Sequence, residues 1–146
     1  MIWRGDTRME FLNYLREDWL SKKLIEENYS HDLDYPHRTR FFEGISFNND
    51  IMLSIQASGV HSSKPSKTLN DLTQYEAFEL GIRSLRIQNH VTFDFATSDK
   101  IFSKTLSEYF DGYVYNNVPV NIVEEIFQKL KEEHGILESK KELAPL

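Results

Sequence analysis

Two strand-like runs, joined by a short polar loop, constrain this chain more than any other feature. In residues 51–58, Ile51, Leu53, Ile55 and Ala57 alternate with Ser54, Gln56 and Ser58, and in residues 75–82, Phe78, Leu80 and Ile82 alternate with Ala77, Glu79 and Gly81. Successive side chains on a strand point to opposite faces, so each run has one core-facing side. A third run, residues 90–96, sets Val91, Phe93 and Phe95 against Thr92 and Asp94 and reads as another strand. Asn48-Asn49-Asp50 is a turn signal that folds Ile45-Ser46-Phe47 back on the first run as a hairpin.

Helices are expected on both sides of these strands. Thr7-Arg8-Met9-Glu10 has the form of a capping box, and Phe11, Leu12, Leu15, Trp19, Leu20 and Leu24 follow at helical spacing, which predicts an amphipathic helix over residues 7–28. In residues 29–44 the period is lost around Pro36, as in an irregular arm. His31, Asp32, Asp34 and His37 in that arm are metal-donor types, but their spacing matches no tight ligand motif and a solvated linker is expected. Ser98 is a candidate N-cap for a short helix carrying Ile101, Phe102 and Leu106, stopped by Asp111-Gly112. Tyr113-Val114-Tyr115 reads as a brief strand. Pro119 opens a final helix whose stripe is Ile122, Val123, Ile126, Phe127 and Leu130, with a stop at His134-Gly135. Residues 137–146 read as a polar tail.

The expected architecture is a single α+β domain over residues 1–146, with its core in residues 45–136. A small antiparallel sheet of about four strands packs with an N-terminal, a middle and a C-terminal helix. A hydrophobic content of 40% with 19 aromatic residues supplies a core without covalent staples, and the absence of cysteine removes disulfides and thiolate chemistry. The chain contains no apolar run of membrane-spanning length, so a soluble protein of the cytoplasm is expected. A net charge of −6 disfavours direct nucleic-acid binding.

The richest concentration of polar chemistry is the loop at residues 58–67. Gln56, Ser58, His61, Ser63, Lys64, Lys67 and Tyr75 are the candidate ligand contacts, with hydroxyls and lysines suited to a phosphate. The loop lacks the glycines of a P-loop. His61 stands beside Ser62 and Ser63, yet there is no nucleophile elbow and no identifiable carboxylate partner, so no catalytic residue is assigned. No cofactor or metal is expected. Tyr109, Tyr113 and Tyr115 are candidate anchors for a protein partner, and the N-terminal helix is a candidate for core packing first, then for a homodimer seam or a partner surface.

Ser54-Ile55-Gln56-Ala57-Ser58 with His61, Pro65 and Tyr75, and the closing Tyr113-Val114-Tyr115, Val118-Pro119-Val120 and His134-Gly135-Ile136, resemble a pattern in small phage and prophage proteins of unassigned function. The resemblance covers residues 51–136. Where those proteins tend to place Tyr-Cys after the histidine and Arg after the proline, this chain has Ser62-Ser63 and Ser66. The resemblance implies a phage-encoded accessory protein in the bacterial host cytoplasm, acting by binding as an anti-defence inhibitor that occludes a host immune effector such as a CRISPR nuclease. The alternative is a sponge for a nucleotide signal, or a small enzyme degrading one, at the loop of residues 58–67.

Overall fold

The computed structural model describes residues 9–29 and 34–136. Its centre is an antiparallel sheet of five strands: β1 (Ile45–Phe47), β2 (Ile51–Gln56), β3 (Ala77–Ser84), β4 (Asn89–His90) and β5 (Tyr115–Pro119). The α+β architecture is as expected. β3 is the hub: β2 pairs along one side from Ile51↔Ser84 to Gln56↔Glu79. The other side takes β5 near its start, at Phe78↔Val118, and β4 near its end, at Arg83↔His90. The β1–β2 hairpin turns through Asn48 and Asn49, both at positive φ, with Asp50 N–H donating to Phe47 O at 3.0 Å. Asparagine tolerates this backbone region better than other non-glycine residues, which explains the pair.

The inward side chains of the strands, including Leu53, Ile55, Phe78, Leu80, Ile82 and Val118, meet the final helix α5 (Val120–His134). That helix buries Val123, Ile126, Phe127 and Leu130, the stripe expected from its spacing. Pro119 stands at its N-cap, and Gly135 ends it at φ +78°, where a side chain would be strained. A 3-10 turn, Glu10–Tyr14, adds Phe11 and Leu12 to the core. It is tied to α5 by Phe11 N–H donating to Glu124 Oε1 at 3.0 Å and by a Lys131–Glu10 ion pair at 2.6 Å.

The helix expected over residues 7–28 is instead broken. After the 3-10 turn the chain runs extended, with Asp18 N–H donating to Phe41 O and Glu43 N–H to Arg16 O, both at 2.8 Å. Only then does α1 (Trp19–Asn28) begin, its cap supplied by the Asp18 carboxylate, which accepts from Leu20 N and Ser21 N. Strand-like pairing with residues 41–43 satisfies backbone groups that a continuous helix would have satisfied internally, so helical spacing alone did not decide the outcome. Thr7 lies outside the described residues. The arm is not wholly irregular, because α2 (Asp34–Arg38) forms with Pro36 in its first turn, where a missing N–H is harmless. His31 and Asp32 lie outside the described residues, and among those described no group of three or more His, Asp and Glu is arranged to hold a metal.

The third expected strand shrinks to β4. Residues Phe93–Ala96 form a single helical turn, α3, which buries Phe93 and Ala96 and turns Phe95 to solvent. The spacing from Phe93 to Ala96 suits a helical turn as well as Phe93 and Phe95 suit a strand, and the backbone is captured by Phe93 N–H donating to Tyr115 Oη at 3.0 Å. The middle helix α4 (Lys100–Leu106) is capped by Asp99, which accepts from Phe102 N at 2.9 Å. Ser98 instead donates from its N–H and hydroxyl to Glu133 of α5. The strand expected at Tyr113-Val114-Tyr115 begins only at Tyr115, because the Asp111 carboxylate holds Tyr113 N and Val114 N in a turn, both at 2.9 Å. Residues 137–146 lie outside the described residues. No helix among those described is long and apolar enough to cross a membrane.

Candidate functional site

Between β2 and β3 the chain doubles back to the start of β3. Lys64 pairs with Ala77 as an isolated bridge, and the Lys64–Pro65 peptide is cis. Gln56 is buried, and its side-chain amide acts as a substitute strand: Oε1 accepts from Phe42 N at 2.8 Å while Nε2 donates to Phe42 O at 2.9 Å. Gly59 packs so closely under Arg38 that a Cβ would lie 2.9 Å from its carbonyl oxygen. Ser63 Oγ donates between Ser58 O and Pro65 O. Arg40, which sequence reasoning missed, is the centre of this knot. Its guanidinium donates to Leu69 O at 2.7 Å, Ala57 O at 2.9 Å and Tyr75 Oη at 3.0 Å, and lies 4.6 Å from the Phe42 ring centroid.

Of the expected ligand contacts, Gln56, Ser58, His61, Ser63 and Tyr75 are thus brought together, but they are buried and spend their hydrogen bonds on the protein itself. Lys64 and Lys67 are exposed. The partner of His61 Nδ1 is Ser58 Oγ at 2.7 Å, not the neighbouring Ser62 or Ser63. Ser58 Oγ also accepts from Val60 N–H, so the hydroxyl is engaged on two sides by groups of its own loop. Ser58 is wholly buried and offers no nucleophile to a substrate. Ser62 is engaged elsewhere, with Glu79 Oε1 and Asn116 Oδ1.

Burial lowers the pKa of His61, Glu79 opposes the shift and Arg40 adds to it. The unfolded chain therefore binds the proton more readily, so the contribution of His61 to stability is fully present above the ordinary value of 6.5 and is lost as pH falls through the lowered folded value. Thermal melts are expected to show a falling midpoint between pH 7.5 and 5, with a smaller fall in His61→Gln. An unchanged profile in that variant would assign the acid sensitivity to other groups.

A different part of the surface is open. Beyond β4, Ile87, His90, Val91, Phe95, Phe110 and Tyr113 line a cleft of about 400 Å³. The His90 and Tyr113 rings lie 4.7 Å apart, and Tyr113 is 66% exposed on the turn fixed by Asp111. Next to it, Asp94, Lys100, Ser103, Lys104, Ser107 and Tyr115 line a second hollow of about 340 Å³, with Thr92 and Phe110 shared by both. Of the three expected partner-binding tyrosines, Tyr113 alone is offered outward. Tyr115 is 4% exposed and anchors α3, and Tyr109 is half-buried against the core. These clefts escape sequence reasoning because their walls come from separate segments. Of their lining residues the sequence singles out Tyr113 and Tyr115, whereas the alternation of Phe95 with Asp94 assigns Phe95 to a core.

The third open feature is α1, which buries none of its residues and exposes Trp19 at 67%, Leu20 at 56% and Leu24 at 47%. Lys23 lies over the Trp19 ring at 5.2 Å. No protein family, curated protein or solved structure matches the chain.

Proposed function

We propose that the protein acts by binding another protein, as a phage-encoded anti-defence inhibitor that occludes a host immune effector, such as a CRISPR nuclease, in the bacterial cytoplasm. The observation that carries this reading is α1, a helix that contributes nothing to the core yet holds Trp19, Leu20 and Leu24 in solvent. Tryptophan is enriched among residues that dominate interface energies, and Leu20 and Leu24 stand four residues apart, one turn of helix, as helix-in-groove anchors do. A net charge of −6 complements the basic channels that nucleases present to nucleic acid. The likeness to small phage proteins supplies the biological setting.

The test is cleavage by a purified CRISPR nuclease with and without the protein, together with phage survival in cells carrying the matching defence. The protein is expected to suppress cleavage, and Trp19→Ala with Leu24→Ala to weaken suppression by about tenfold or more without altering the melting midpoint. Absence of inhibition and of phage protection across the defence systems tried would overturn the proposal. The sponge or degrading enzyme at residues 58–67 has less support, because the hydroxyl, amide and phenol groups there already bond within the protein.

A further inference from the structure

The joined clefts beyond β4 carry three chemistries in spatial sequence. The first is aromatic: His90 and Tyr113 stand together, with Phe95 also exposed, so a planar ligand entering the cleft would cover rings that now face water. The second lies at the boundary, where Thr92 borders both hollows and donates its hydroxyl proton to Asp94 Oδ1. Asp94 Oδ2 has no partner among the described residues. The third is cationic. Lys100 donates one proton to Asp94 O at 2.9 Å and keeps two, while the Lys104 ammonium and the Ser103 hydroxyl have no partner among the described residues.

We propose that this double cleft binds a ribonucleoside monophosphate, with the base against His90 and Tyr113, the ribose diol on Asp94 and the phosphate on Lys100, Lys104 and Ser103. Each assignment follows from chemistry. Bases stack on aromatic rings irrespective of sequence, a carboxylate accepts from paired ribose hydroxyls, and lysine neutralises phosphate as a point charge. The lone carboxylate also explains the choice of ligand, because it would repel a bare anion yet favours a sugar hydroxyl beside one. Both hollows fall in the size range of small-molecule sites. The site includes no residue of α1 and none of the contacts expected in the loop at residues 58–67.

Isothermal titration of the full chain with AMP, GMP, CMP and UMP, and with their nucleosides, 2′-deoxynucleotides and inorganic phosphate, tests the assignment. At least one ribonucleotide is expected to bind saturably at one site, with its nucleoside weaker by about tenfold or more and its 2′-deoxy form weaker severalfold. Lys104→Ala and Tyr113→Ala, both at exposed positions, are each expected to weaken binding by about tenfold, and Trp19→Ala to leave it unchanged. Failure of all four nucleotides to saturate the protein would overturn the proposal. So would inorganic phosphate binding as tightly as the nucleotides, or affinity that is indifferent to both Lys104 and Tyr113.

Discussion

A Phe78→Ala protein is expected to lose about 3–5 kcal/mol of folding stability, a large share of what holds a single domain together. Phe78 is fully buried on the hub strand, its ring edge-on to Phe11 at 5.4 Å and 5.3 Å from Tyr75. Truncation removes apolar surface from the core and leaves a space that cannot collapse cheaply, because the backbone at Phe78 is fixed by pairing with Val118. For a chain of this length the loss corresponds to a fall of roughly 10 °C in the melting midpoint. Ile101→Ala is the control: Ile101 is 85% exposed, and its truncation should stay within about 0.5 kcal/mol. Comparable melts for the two variants would refute the packing described around β3.

Tyr75→Phe follows, with an expected loss of about 2 kcal/mol from deletion of one oxygen. That hydroxyl donates to Lys67 O at 2.5 Å and accepts from Leu69 N at 2.7 Å and Arg40 Nη2 at 3.0 Å. The phenylalanine ring fills the same space, so the loss isolates the hydrogen bonds from the packing. Arg40 magnifies the consequence, since its Nε is already buried without an acceptor. A guanidinium short of one partner bears the loss of a second poorly. Urea denaturation of Tyr75→Phe, Arg40→Met and the double variant should give a double-variant loss smaller than the two single losses added together, as expected of residues in one network. Strict additivity, or a loss under about 0.5 kcal/mol in Tyr75→Phe, would show that the knot is not held through this oxygen.

The central hairpin, β2, β3 and α5 were legible in the sequence because each buries one face with an uninterrupted period, and because Asn48-Asn49 and Gly135 have few backbone conformations to choose from. The N-terminal segment was not. Phe11 and Leu12 enter the core while Trp19, Leu20 and Leu24 do not, although all five fit one helical stripe. What separates them is long-range pairing of residues 16–18 with residues 41–43, and a local period carries no record of it. Residues 93–96 failed for the opposite reason, since four residues are too few to tell a period of 2 from one of 3.6. At the expected site, the clustering of Gln56, Ser58, His61 and Tyr75 was legible but its direction was not. Whether a hydroxyl faces a ligand or Arg40 depends on a residue 35 positions away from Tyr75.

The margins of the sheet bear on how one copy of this protein meets another. β1 is three residues long, and beyond it the side chain of Gln56 already occupies the backbone groups of Phe42. On the other margin, β5 is interrupted at Asn117, which takes a φ of +49° and donates its N–H to Ser62 O, and it ends in Pro119, which has no N–H to donate. With β4 only two residues long, an incoming strand finds no unbroken ladder to extend among the described residues. What a second copy would meet instead is side-chain surface such as α1, with Trp19, Leu20 and Leu24 in solvent.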